Sequence, residues 1–234
     1  MDALDRLVEP AGALLRQVEA TLAAAGAPED DPLWPLLRRL RVLPTDAVTG
    51  VAGWRAEPLE GMLPGLRSLR ERYEQVGDAV PAWPAWEGAG AEMYAARWAA
   101  LRAHLAAPAD PGPSHGPASA APPGAEAGTL AGRLSATIRF TEELADWVAR
   151  SRRELANALA EVLGCAEAVT VTAGDAAGPA AARIATHVLG VAAGLVDEGQ
   201  RLHDAWRARL VELPYLPPVV DGPAGADRTL RITG

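Results

Sequence analysis

The sequence predicts an all-α protein, an up-and-down bundle of four main helices preceded by an N-terminal helical hairpin. Three observations point there. Apolar residues recur at helical spacing through most of the chain, and most clearly at Leu134, Thr141, Val148, Leu155 and Val162, one every seven residues. Alanine is abundant and aromatics are scarce apart from seven Trp, a composition that favours closely approaching helices over sheets. The single β-prone run, Val169-Thr170-Val171-Thr172, is too short and too isolated to found a sheet.

The elements follow in chain order. Leu4, Leu7, Val8, Leu14, Leu15, Val18 and Leu22 outline a first helix that contains Pro10 and stops at Gly26-Ala27-Pro28. Asp31 as N-cap and Pro32 in the first helical position open a second, carrying Leu33, Trp34, Leu36, Leu37 and Leu40 and ending before Pro44. Trp34 reads as a core anchor of this hairpin, residues 1–44. Thr45 or Asp46 caps the next helix, with Val48, Val51 and Trp54 on one face. Pro58 restarts a helix and Pro64 kinks it. Met62, Leu63, Leu66, Leu69, Tyr73 and Val76 continue its apolar stripe, while Arg67, Arg70, Glu71, Arg72 and Glu74 read as a solvated face. The chain bends at Pro81–Gly88 and returns through Met93, Tyr94, Trp98, Leu101 and Leu105, so that residues 45–106 form a second hairpin.

Residues 107–128 are rich in Pro, Gly, Ala and Ser, carry almost no large apolar side chain, and read as a flexible linker. Residues 129–213 form a third hairpin. Its first arm is the heptad helix Leu130–Leu163, closed by Gly164 as C-cap. Its second is a helix from Ala180 to Leu213, with Ile184, Val188, Val191, Leu195, Leu202, Ala205 and Trp206 on one stripe and small residues at Ala185, Ala192 and Gly199 for close packing. Residues 214–234 read as a loose tail.

Composition narrows the function classes. The formal net charge is −8, which disfavours a nucleic-acid backbone or an anionic membrane as main partner. All basic residues are Arg; that bias, with the Ala, Gly and Pro load, suggests a GC-rich genome of actinobacterial type and says little of function. The N-terminus, Met1-Asp2-Ala3-Leu4-Asp5, is acidic where a signal peptide is basic. The longest apolar stretch, Ile184–Val196, falls short of a membrane span. A cytoplasmic protein is expected, and any export needs a route that takes folded helical substrates without a signal peptide.

Catalytic, cofactor and metal residues are not evident. Cys165 reads as a small buried hydrophobe at a helix end. His104, His115, His187 and His203 lack ligand spacing. Glu142, Glu143, Asp146 and Glu154 read as solvated helix surface, with no Glu-x-x-His pair to make a di-metal bundle. Gly174–Gly178 has neither the Lys nor the preceding strand of a phosphate loop, and there is no Gly-x-Ser-x-Gly nucleophile elbow.

What remains is Trp86-Glu87-Gly88, set between two helical arms and followed by Ala89-Gly90-Ala91-Glu92-Met93-Tyr94 and Trp98-Ala99-Ala100-Leu101. An indole can plug the groove between the arms, and a Gly allows a positive φ at the corner. Over residues 46–105 this resembles the WXG family of helical hairpins linked to type VII secretion, and its larger PPE-type relatives. The resemblance implies a non-enzymatic interaction protein whose partner is another small helical protein or a secretion component. It implicates Trp86 and Gly88 in partner binding. The family's export signal, a Tyr followed four residues later by an acid, has no match: Tyr73 meets Gly77, Tyr94 meets Trp98 and Tyr215 meets Val219. A self-assembling helical adaptor, motivated by the heptad seam, is the second reading, a lipid-surface protein whose amphipathic helices open on contact, disfavoured by the acidic charge, the third, and an enzyme with an unrecognised site the fourth.

Overall fold

The computed structural model describes residues 2–78, 87–105, 129–174, 177–207 and 210. These residues are α-helical with no strand among them, in the order α1 (Ala3–Ala25), α2 (Leu33–Leu40), α3 (Pro44–Gly53), α4 (Glu57–Asp78), α5 (Ala89–Leu105), α6 (Leu130–Gly164), α7 (Ala166–Ala173) and α8 (Gly178–Arg207). The all-α class is therefore observed. The chain divides into two units, Met1–Leu63 with Arg139–Ala208, and Pro64–Ile138 with Arg209–Gly234. The expected linker 107–128 and tail 214–234 lie outside the described residues, and the division falls inside α4 and α6. The physical reason is a shared core: α1–α3 are held with α6–α8 and not as a hairpin apart.

In the first unit α8 packs against α1, α2, α3 and α7. Its buried residues Ile184, Val188, Leu189 and Leu195 meet Leu4, Leu15 and Val18 of α1, Leu33 of α2, Val48 and Val51 of α3, and Leu155, Leu159 and Val162 of α6 in one apolar cluster. The seven-residue repeat of α6 is thus satisfied inside this unit from Thr141 onward. By length and composition α8 could cross a membrane, with a mean hydropathy of 1.4 in its most apolar window, yet half of that window is packed inside the protein. It exceeds the run read from sequence because Ala180, Ala181 and Ala182 extend the apolar window on its N-terminal side.

Caps explain where the helices begin. Asp2 and Asp5 form a capping box on α1, with Asp5 N–H donating to Asp2 at 3.0 Å and Asp2 N–H to Asp5 at 3.1 Å. At α2, Asp31 Oδ1 accepts from Leu33 N–H at 2.8 Å, so the expected cap residue acts one position earlier than a standard N-cap. At α3 neither Thr45 nor Asp46 caps. The helix starts at Pro44, and Glu19 of α1 accepts the Thr45 N–H at 2.8 Å, a tertiary substitute for a local cap. Pro58 lies in the first turn of α4, as expected of a restart, and Pro64 lies inside the helix without ending it.

Three other local expectations are corrected. Val169–Thr172 belongs to α7, where Val171 is buried against the core, because tertiary burial overrides β propensity in a run this short. Gly164 is the last helical residue of α6, without a left-handed φ; Cys165 stands at the N-cap position of α7 without a side-chain cap bond, and the axis turns by 59° between the two helices. Trp34 is 37% exposed; its Nε1–H donates to the Pro28 carbonyl at 2.7 Å, and Leu33 is the α2 residue that reaches the core.

Two tryptophans wedge the α6–α8 side of this unit. Trp147 lies on Trp54 with ring centroids 4.8 Å apart, and Trp206 meets Phe140 at 6.1 Å while donating to Glu143 at 2.8 Å. Glu143, read as plain surface, is thus an acceptor for a buried indole. A Cβ at Gly199 would stand 2.7 Å from Trp147 Cζ2. Gly199→Ala is expected to lower stability by about 1–3 kcal/mol despite better helix propensity, because the flat ring is held by Trp54. Chemical denaturation read on Trp fluorescence checks it; an unchanged or raised midpoint would refute the close approach.

Candidate interaction site

In the second unit, Glu87 and Gly88 lead into α5. Gly88 has φ +107°, a region L side chains rarely adopt, and its carbonyl accepts from Ala91 N–H at 2.9 Å and Glu92 N–H at 3.1 Å. Gly88 is therefore the corner from which α5 starts, and its Cβ-free backbone is what permits that corner. No side-chain atom crowds the position, so the requirement is one of backbone alone. Trp86 lies outside the described residues.

The helical arms on either side present apolar surface. Leu66, Leu69, Tyr73 and Val76 follow one another on one stripe of α4. Leu69 is 37% and Val76 53% exposed, while Leu66 and Tyr73 are half-buried. Arg70 and Arg72 flank the stripe, one on each side, and Arg70 pairs with Glu74 one turn on at 3.4 Å. On α5, Met93 and Tyr94 are also exposed, and Tyr94 stacks on Trp98 with rings 6.5 Å apart and 6° from parallel. Among the described residues, half of the exposed large apolar side chains lie on α4 and α5. Single exposed apolar residues are ordinary; a periodic row of them marks a surface built to be covered.

Ionisable groups gather elsewhere, in the first unit. An open cavity of about 260 Å³ is lined by Glu161, Val162, Cys165, Glu167, Arg183, Ile184 and His187. Its charged groups are engaged with one another: Arg183 Nη1 lies 3.2 Å from Glu167 and His187 Nε2 lies 3.3 Å from Glu161. The Glu167 carboxyl is held below the usual carboxylate range, chiefly by its own backbone N–H, then by Arg183 and the Cys165 thiol. Cys165 is half-buried on the cavity wall and not a core residue, and its Sγ–H donates to the Val162 carbonyl at 3.1 Å. A short helix begins where α6 ends, which leaves this side chain packed on the margin of the core and not inside it. His203 contacts Asp204 at 3.3 Å, and His115 lies outside the described residues. Among the described residues, no three His, Cys, Asp or Glu converge as a metal site.

Sequence reasoning missed Arg152. It is 5% exposed, and from the middle of α6 its guanidinium ties the start of α1 to the end of α3. Nε donates to Asp2 at 2.6 Å, Nη2 to Asp2 at 3.0 Å and Asp5 at 2.7 Å, and Nη1 to the Ala52 and Trp54 carbonyls at 2.6 and 2.9 Å. A signal was present: Arg152 interrupts an otherwise apolar i, i+4, i+7 series, Val148, Arg152 and Leu155. An arginine in that register must carry its partners with it. Its role is architectural, since every donor is directed at the fold's own caps.

The chain matches no family model, no curated protein and no solved structure.

Proposed function

We propose that this is a non-enzymatic helical interaction protein of the kind associated with type VII secretion, acting as substrate, co-substrate or chaperone-like partner. The observation that carries the reading is the half-exposed apolar stripe of α4 leading to the Trp86-Glu87-Gly88 corner. Gly88 supports it with the positive φ such a corner needs. The partner is a protein with an apolar helical face, and Trp86 and Gly88 belong to the contact. In this reading α4, α5, α6 and α8 follow one another as an up-and-down bundle. The location is cytoplasmic, and any export would use a route that needs no signal peptide.

The rival reading, self-assembly through the α6 heptads, is disfavoured because Leu155, Leu159 and Val162 are already buried in the chain's own core. An enzymatic reading finds its groups in the corner cavity paired with each other.

The test is affinity capture from the native host with wild type, Leu69→Asp and Trp86→Ala. Leu69 is exposed, and both variants are expected to keep their helical circular dichroism. The reading expects a small helical protein or secretion component with wild type and at least a tenfold loss with Leu69→Asp, which puts a charge in an apolar contact. Recovery of the same proteins in the same amounts from all three baits sinks it.

A further inference from the structure

We propose that the α4 stripe selects its partner by charge: it takes an amphipathic helix of another protein that carries acidic side chains beside its own apolar seam, in preference to a second copy of this chain. The inference rests on the interaction reading above and adds the chemistry of the partner. Leu66, Leu69, Tyr73 and Val76 are spaced three, four and three residues apart, the a and d pattern of a coiled-coil seam. With Leu66 and Tyr73 at a, the flanking e and g positions are Arg70 and Arg72, both cationic in a chain whose formal net charge is −8. Glu74 pairs with Arg70 from outside the seam, and Glu71 lies on the far face. Arg72 is exposed.

These flanks decide between occupants. In an antiparallel self-pair, e faces e and g faces g, so Arg70 meets Arg70 and Arg72 meets Arg72. A parallel self-pair sets Arg72 opposite the glycine at 77 and Arg70 opposite Gly65, and gains no ion pair. A helix with Glu or Asp at its flanks gains a pair in either direction.

The experiment titrates the full-length protein with two labelled helical peptides, identical in Leu at a and d, one with Glu and the other with Lys at e and g. Fluorescence anisotropy is expected to show the Glu peptide binding roughly tenfold more tightly, a preference that fades with salt. Arg70→Glu/Arg72→Glu is expected to reverse it, and the exposed single change Arg72→Glu to reduce it. Equal binding of the two peptides, abolished by Leu69→Asp, overturns charge selection and leaves the interaction reading standing. Binding of neither peptide overturns the inference too. If Leu69→Asp also leaves native-host recovery unchanged, the interaction reading falls with it. Self-association in light scattering that Leu69→Asp removes would place a second copy in the seam and overturn the proposal.

Discussion

Arg152→Met is expected to lower stability by about 2–4 kcal/mol, because it keeps much of the side-chain volume and removes the charge that joins Asp2, Asp5 and the end of α3. Arg55 also donates to the Ala52 and Trp54 carbonyls and, at 3.2 Å, to Asp5, so the loss falls mainly on Asp2. Urea unfolding at neutral pH checks the magnitude, and Asp2→Asn/Asp5→Asn in the same background is expected to recover part of it by relieving the stranded charge. The pH dependence gives an independent reading. In the fold Asp2 lies below the usual carboxylate range, mainly through its bond to Arg152. Asp5 does so mainly through the Asp2 backbone N–H and next through Arg152. A carboxylate lowered by folding stabilises the native state above its unfolded value of about 3.9, and that contribution is lost as pH falls through the folded value. Wild type is therefore expected to lose stability progressively below about pH 5, and Arg152→Met to show a flatter profile. Parallel profiles for the two proteins would refute the clamp.

The second large effect is Leu159→Ala, expected to cost about 3–5 kcal/mol, against less than about 1 kcal/mol for Leu69→Ala. Both leucines sit on periodic apolar stripes of long helices, and no propensity scale separates them. Leu159 is fully buried in the first unit's core, whereas Leu69 keeps a third of its surface in solvent. Removing the Leu159 methyls opens a cavity among side chains of several helices, which relax only in part. Removing those of Leu69 surrenders less burial and leaves an edge that solvent can fill. Circular dichroism and Trp fluorescence should both be followed, since two units need not unfold together. Similar losses for the two variants would mean that the α4 stripe is already covered, and would undercut the interaction reading as well.

The contrast between these leucines locates the limit of sequence reading here. The helices were legible because their periodicity is written locally: the repeat from Leu134 to Val162 falls within α6, and Pro58 and Gly88 stand near the starts of α4 and α5, where their backbone preferences place them. Errors arose where a distant group replaced a local one. Glu19 caps α3 from another helix, and Pro28 holds the Trp34 indole at the surface. Burial draws Val171 into a helix. Of the candidate site, the Gly88 corner was legible as a backbone requirement; the Arg152 clamp of the first unit was not, because its five acceptor contacts come from residues some 100 and 150 positions away.

The sequence alone determined an α-helical chain, where most helices run, and a glycine at the corner before α5. Those properties depend on hydrogen bonds and side-chain rows within a few residues. Only the tertiary structure decided that α1–α3 share a core with α6–α8, that Arg152 locks the start of α1 to the end of α3, and that the stripe on α4 stays half in water. Which face is covered depends on neighbours brought from far along the chain, and periodicity marks a face as coverable without saying what covers it.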